Sequence, residues 1–487
     1  MKDLSSLSLR TDRQVRARAL LIARIAIVVY LVELLFNLIR PHVLPDEPTL
    51  SIFYKLPADL SKVPGFGGSL SRLLSIPQAV FWTVLVGIAA AVVIQILSAV
   101  TRPTERRSAL LTWLTVGCLF LPFGLISLTV VIGFFPVALA CVPSTAFVLL
   151  LLHCGVRFAR VPRRALLTAF GWGALIVFGF GRACTGLAFG TLNGYLGKTS
   201  GTDFSGVLKN EYRMIDLVIV HLGIVDALAI AAGVALLLLL FRYRVTDAVT
   251  GLTLGAAVGL GYSFVESILF INIYGSVGAI LGSSGGFEYW IRQSIGLLGG
   301  QMAFGALLGA GLGIAAKARQ RGLVTAVSLV AAGGGAVGAE VLSGWLSSQL
   351  QSHIDVGSTL DTLVVSPFLW LLPQMPFIAL AVVFLVLGLR ERAPALRAAA
   401  AAEAAAGSAI TQAEVPILVS PALRFWAVAS TWRWYGRGSA LALHRLQTAQ
   451  LELASWHVQK DPAVTSQGDE LRARVLRLKG VVPAVTP

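Results

Sequence analysis

Apolar runs of about 20 residues recur through this chain, with basic residues clustered beside them. A run of that length covers the roughly 30 Å hydrocarbon core of a bilayer as a helix, at about 1.5 Å per residue. The totals agree, with 56% hydrophobic and only 13% charged residues among 487. A soluble domain carries about 25% charged residues. The expected fold class is therefore all-α: a polytopic integral membrane protein with about ten transmembrane helices and a small helical cytoplasmic tail.

The spans are expected near 19–39, 78–100, 109–134, 136–157, 165–190, 215–240, 248–273, 291–316, 323–346 and 366–389. Cations follow every second span: Arg102, Arg106 and Arg107; Arg157, Arg160, Arg163 and Arg164; Arg242 and Arg244; Lys317, Arg319 and Arg321. The intervening loops carry few cations or mixed charge, which places both termini in the cytoplasm by the positive-inside rule. The net charge of +15 is thus a topology signal. No compact basic domain with interleaved aromatics accompanies it, so nucleic acid is not an expected partner. The first apolar run lacks a small-residue cleavage site and reads as a retained span. Cys118, Cys141, Cys154 and Cys184 form no CxxC pair and read as small buried hydrophobes.

Four regions follow: a basic cytoplasmic N-terminus (1–18), an N-terminal four-span region (19–158), a membrane core (165–389) and an Ala/Arg-rich helical tail (390–487). In the tail, Ala395 to Gly407 is expected as an exposed helix, with Pro394 as its start residue. Trp426, Trp432 and Trp434, set among arginines, suit a membrane surface. Leu441, Leu443, Leu446, Leu451, Leu453 and Trp456 suggest an amphipathic helix, and Leu471 to Lys479 another.

The membrane core contains residues that lipid does not tolerate alone. Gly251, Gly255, Gly259 and Ser263 step by four along one helical face, and Glu266 falls on that face two turns past Gly259. Small residues admit a neighbouring backbone, so Glu266 is expected to point into a helix bundle. Arg182, His221, Asp226, Gln301 and Glu340 also lie inside expected spans. With Glu266, all sit roughly 9 to 17 Å below the outer surface. Gln301 is expected about ten residues into its span. It begins a row with Gly305, Gly309 and Gly313, Glu340 has Gly333 and Gly344 on its face, and Asp226 has Gly223 and Gly233. His221 lies about 140° around the helix from Asp226. These positions describe a polar chamber in the outer half of the membrane, walled by spans five to nine.

Three readings of the chamber stand open on the residues alone. One is a buried ion-pair network in which Arg182 offsets one of Asp226, Glu266 and Glu340. Another is a proton or divalent-metal site, where an oxygen-rich donor set favours Mg, Ca or Mn over Zn. The third is a pathway for ions or protons through a transporter. The glycine run Gly333 to Gly335 with Gly338 lacks the Gly-Lys-Ser/Thr ending of a phosphate loop and reads as helix packing.

From Thr246 and Asp247 through Glu266 and Ser267, the sequence resembles the PrsW-like intramembrane metalloproteases, relatives of the CAAX prenyl proteases. Gly251, Gly255, Gly259, Gly261 and Glu266 match a glycine-rich span that carries a functional Glu in that family. Tyr262 stands where the family has Phe, and Ser267 where it has Asn. A Glu-Glu-x-x-Lys motif on the preceding span corresponds here to Val225-Asp226-Ala-Leu-Ala229, which keeps one carboxylate. Gln301 stands where the family has His, with Gly309 and Gly313 matching, and Glu340 is nearest to a second His position. The resemblance covers about Arg163 to Leu346. It implies a hydrolase that cleaves membrane-associated proteins, with Glu266 and Asp226 catalytic. It also implies a divalent metal, Zn in the family, near Glu266, Glu340, His221 and Gln301, with Arg182 as charge partner. The departures imply a divergent member with impaired catalysis. A non-catalytic membrane scaffold or regulator and an ion- or proton-coupled transporter remain the alternatives. The implied partners are the lipid bilayer and a membrane-protein substrate or partner helix. The implied location is the plasma (inner) membrane of a bacterium.

Overall fold

A computed structural model describes residues 2–43, 69–101, 104–155, 161, 163–184, 226–238, 240, 247–280, 289, 292–293, 295–315, 318–350, 364–407, 409–459 and 465–480. All regular structure among them is helical. In chain order come α1 (Lys2–Val43), α2 (Ser69–Thr101), α3 (Glu105–Gly133) and α4 (Phe135–Gly155). Then come α5 (Arg163–Cys184) and α6 (Asp226–Leu238). They are followed by α7 (Ala248–Ile280), α8 (Gly300–Ala315), α9 (Arg321–Leu350), α10 (Ser366–Leu371) and α11 (Met375–Ala406). The tail contributes α12 (Glu414–Val419), α13 (Pro421–Gln459) and α14 (Thr465–Lys479).

Six described segments are long and apolar enough to cross a membrane: Trp82–Thr101, Glu105–Gly133, Phe135–Gly155, Arg163–Cys184, Ala248–Asn272 and Arg321–Ala339. They correspond to expected spans two to five, seven and nine. The shorter apolar helices α6 and α8 correspond to spans six and eight. The protein is an integral membrane protein. Large aliphatic side chains exposed on α2, α3 and α4, such as Val86, Leu121 and Leu139, are what a lipid-facing helix presents. Of the four cysteines, Cys141 and Cys184 are buried and Cys118 is partly so, but Cys154 is exposed.

The chain divides into two compact units, Met1–Leu149 with Arg164–Val382, and Leu150–Arg163 with Val383–Pro487. The first unit is built around α7. Within its most apolar stretch 83% is buried, against 11% for Trp82–Thr101, so α7 is the axis on which neighbours pack. Asp247 starts it as an N-cap: the Thr250 backbone N–H donates to Asp247 Oδ1 at 2.9 Å, and the Thr250 hydroxyl donates to it at 2.8 Å. Glycines then let α8 approach. A Cβ on Gly251 would lie 2.1 Å from Gly309 O, on Gly255 2.1 Å from Gly305 O, and on Gly259 2.0 Å from Gln301 O. The pairing runs in opposite directions along the two helices, so α7 and α8 are antiparallel. Side-chain-free contact of this kind is the membrane route to tight helix packing.

Helix α5 packs on another side of α7. A Cβ on Gly173 would lie 2.0 Å from Val258 O, and one on Gly261 2.1 Å from Phe170 O. Residues Trp172–Val177 of α5 form a π-helical stretch, closed by the Phe178 N–H donating to the Gly173 carbonyl. Helix α3 joins through Ser127, whose hydroxyl donates to Leu175 O at 2.7 Å. Tyr30 of α1 then meets Phe123 edge to face, with ring centroids 5.9 Å apart.

The eighth span is not one continuous helix. A 3₁₀ turn at Ile295–Leu297 precedes Gly300, which has φ 51°. The Gly300 N–H donates to Gln374 Oε1. Gln301 therefore sits in the first turn of α8, after a break that its apolar surroundings did not show. Hydropathy averages over such a break; a left-handed glycine makes it. The expected packing role of the α9 glycines holds only at Gly335, where a Cβ would lie 2.4 Å from the Phe377 ring. At Gly333, Gly334 and Gly338 a Cβ would meet nothing within 4 Å.

The second unit has its own core, in which Leu396, Ala400, Ile410, Leu446, Leu451, Leu453 and Val475 are buried together. Pro394 lies inside α11 and does not begin a helix. Leu396, Ala399 and Ala400 are buried, so the expected exposed Ala-rich helix is a packed one. Packing along that face outweighs the single N–H a proline withholds. Glu403, fully buried, receives a two-pronged ion pair from Arg472, at 2.7 Å to Oε1 and 3.0 Å to Oε2. Helix α13 is interrupted at Gly436, with φ 80°. Trp426, Trp432 and Trp434 on α13 are exposed.

Candidate functional site

Arg182, on α5, stands between the two carboxylates singled out from the sequence. Its Nη2 donates to Glu266 Oε1 at 3.3 Å and lies 3.6 Å from Asp226 Oδ2. All three side chains are at most 15% exposed. Burial without pairing would cost an ionised group several kcal/mol (roughly), so each charge here needs the others. The guanidinium also lies between two aromatic rings, 5.4 Å from the Phe178 centroid and 5.3 Å from that of Phe270. Phe178 is one turn before Arg182, and Phe270 one turn after Glu266. A delocalised, weakly hydrated guanidinium suits such a lined position better than an ammonium.

Tyr262 completes the cluster, a role that sequence reasoning missed. Its side chain is fully buried, and its hydroxyl donates to Asp226 Oδ1 at 2.5 Å. Gly181 makes room for it: a Cβ there would lie 3.1 Å from the Tyr262 hydroxyl. The Tyr262 ring meets Phe178 edge to face at 5.4 Å. The signal was available, because Tyr in a Phe-type position adds one hydroxyl, and a buried hydroxyl needs a partner. Helix α6 is seated by Gly233, where a Cβ would lie 2.5 Å from Val177. The Trp172 indole N–H donates to Gly233 O at 3.0 Å.

Arg182, Asp226 and Glu266 are thus brought together. Gln301, with Ala227, Phe304, Leu308, Ala332 and Ala336, lines a cavity of about 10 Å³ between α6, α8 and α9. That is room for roughly one water. Gln301 Oε1 is buried with no hydrogen-bond partner among the described residues. Glu340 lies on α9, but its side chain is outside the described residues, and His221 is outside them altogether.

A family model described as PrsW family intramembrane metalloprotease matches residues 161–372. Over those residues the chain is similar to the PrsW family. The matched segment spans α5 to α10 and contains Arg182, Asp226, Tyr262, Glu266 and Gln301. Comparison with curated proteins and with solved structures gave no match.

The family that the model describes is one of intramembrane metalloproteases, which implies a divalent metal. The described donor set does not fit one. A divalent ion takes at least three or four donors whose lone pairs converge at about 2.0 to 2.6 Å. Among the described residues, no three His, Cys, Asp or Glu side chains gather in that way. Asp226 Oδ2 and Glu266 Oε1 both face Arg182, and Asp226 Oδ1 accepts from Tyr262. The position between the carboxylates already holds a positive charge.

Proposed function

We propose that this PrsW-family protein receives a transmembrane or juxtamembrane segment of another membrane protein at the Arg182–Asp226–Glu266 chamber, and hydrolyses it poorly. The reading rests on one observation, the guanidinium 3.3 Å from Glu266 and 3.6 Å from Asp226. A general base needs a lone pair directed at the attacking water. Glu266 stands where the family resemblance puts a functional carboxylate, and its Oε1 is turned to a cation that does not deprotonate. Freeing Oε1 for a water therefore requires Arg182 to swing away first, whereas binding a helix does not. The wider proposal keeps ten spans, both termini in the cytoplasm and the chamber in the outer half of a bacterial plasma membrane. It also keeps the four regions 1–18, 19–158, 165–389 and 390–487.

The test uses the full chain in proteoliposomes with a panel of single-span reporter proteins tagged at both ends. A photo-crosslinking residue replaces Ala231, beside the cavity. The expected result is crosslinking to the reporter span, with slow cleavage that Glu266→Gln abolishes. Rapid cleavage by the unaltered protein overturns the impairment. Neither crosslink nor cleavage across the panel overturns the whole reading. Ion or proton flux that stops in Glu266→Gln replaces it with transport.

A further inference from the structure

The charge balance of the chamber leads beyond proteolysis. We infer that Arg182 occupies the place of the family's metal ion, so that this protein carries a fixed guanidinium where its relatives carry an exchangeable cation. The inference rests on the reading of this chamber as the family site, and it concerns what fills the site, not what the site acts on.

Three observations support it. Two carboxylates from different helices, Asp226 in α6 and Glu266 in α7, converge on one atom, Arg182 Nη2. Convergence on one point is what a metal demands of its ligands, and here the point is a nitrogen. The guanidinium is also held from its sides, by Phe178 and Phe270, so it is seated and not a passing contact. Finally, Tyr262 donates to Asp226 Oδ1. With Arg182 on Oδ2, both oxygens of that carboxylate have a partner without any metal. An arginine stays protonated throughout the physiological range, so the balance it provides does not depend on metal supply. A divalent ion entering beside it would meet a like charge in low-dielectric surroundings, where repulsion is poorly screened.

The two occupants exclude each other, which makes the inference testable without any cleavage assay. Purified full-length protein is analysed for bound metal. Its thermal unfolding is then followed with EDTA, with Mn²⁺ and with Zn²⁺, for the unaltered chain, Arg182→Ala and Glu266→Gln. The unaltered chain is expected to carry far less than one metal per chain and to melt at the same temperature under all three conditions. Arg182→Ala is expected to melt lower and to be raised again by Mn²⁺ or Zn²⁺, with binding at least tenfold tighter than in the unaltered chain. About one metal per chain in the unaltered protein, lost in Glu266→Gln, overturns the inference. So does a folded Arg182→Ala that ignores both ions, because guanidinium and metal then do not share one place. Should Arg182→Ala fail to fold, Glu266→Gln alone decides: unchanged low metal content supports the inference, and loss of a bound metal refutes it. Failure of the reporter assay above would leave these metal readings standing, so the two proposals fail separately.

Discussion

Replacing Tyr262 by Phe removes one oxygen from the centre of the chamber and nothing else. The ring remains against Phe178, 5.4 Å between centroids, and Gly181 still leaves the space open. What is lost is the 2.5 Å hydrogen bond to Asp226 Oδ1. Tyr262 is fully buried and Asp226 nearly so, so no bulk water stands ready to replace the donor. A hydrogen bond to a charged acceptor contributes about 1.5 to 3 kcal/mol. The ratio of folded to unfolded protein should then fall roughly ten- to hundredfold. Reversible unfolding of the full chain in bicelles measures this, and a double-mutant cycle with Asp226→Leu isolates it. With Leu at 226 the Tyr262 hydroxyl has lost its partner, and Tyr262→Phe should become neutral or stabilising. A coupling energy below about 0.5 kcal/mol would show that the two groups do not act together, and would refute the reasoning from geometry.

Three further outcomes follow from the same coordinates. Gly255→Leu should separate α7 from α8, since even a Cβ would lie 2.1 Å from Gly305 O; overpacking of this kind costs about 1 to 3 kcal/mol or more, read as a lower unfolding midpoint. Arg472→Met should destabilise the second unit by about 3 kcal/mol, the lower end for a broken buried pair because Arg472 is 34% exposed; restoring stability with Glu403→Leu in addition would confirm the cause, and no loss in the single variant would exclude it. Burial pushes the Glu414 carboxyl up, but the Thr411 N–H and Lys479 outweigh it and hold it below its ordinary 4.5. Its folded value is the lower one, so its contribution is present above pH 4.5 and lost as pH falls through the folded value. Lys479→Met should flatten that acid-side dependence in thermal melts, and an unchanged slope would count against the pair.

The parts of this molecule that were legible in the sequence are those governed by short-range periodicity. Gly251, Gly255 and Gly259 step by four, and the helix face they define is the one α8 packs against. Asp226, Glu266 and Arg182 stood out because ionisable groups are costly in lipid, and cost alone says they must meet. Less legible was anything decided by a single backbone torsion or by tertiary packing. Gly300 at φ 51° breaks a run that hydropathy sees as continuous, and so Gln301 begins a helix instead of lying within one. Pro394 obeys a local rule for helix starts, yet α11 runs through it because the face beyond it is buried. Tyr262 escaped notice because a pattern match treats it as a near-equivalent of Phe, whereas one hydroxyl makes it a partner of Asp226.

The π-helical stretch at Trp172–Val177 acts on Arg182 as a phase shifter. An α-helix turns about 100° per residue, and a π turn takes in one residue more than an α turn before it closes. Everything after Val177 is therefore rotated by about one residue step relative to an uninterrupted helix. Arg182 comes five residues later, so its bearing toward Asp226 and Glu266 is set upstream, by how many residues the turn admits. Closing that stretch as ordinary α-helix with every residue kept would leave every member of the cluster in the chain, yet swing the guanidinium about 100° off its heading. In this protein the charge balance of the chamber depends on the winding of one upstream turn as much as on the identity of any side chain.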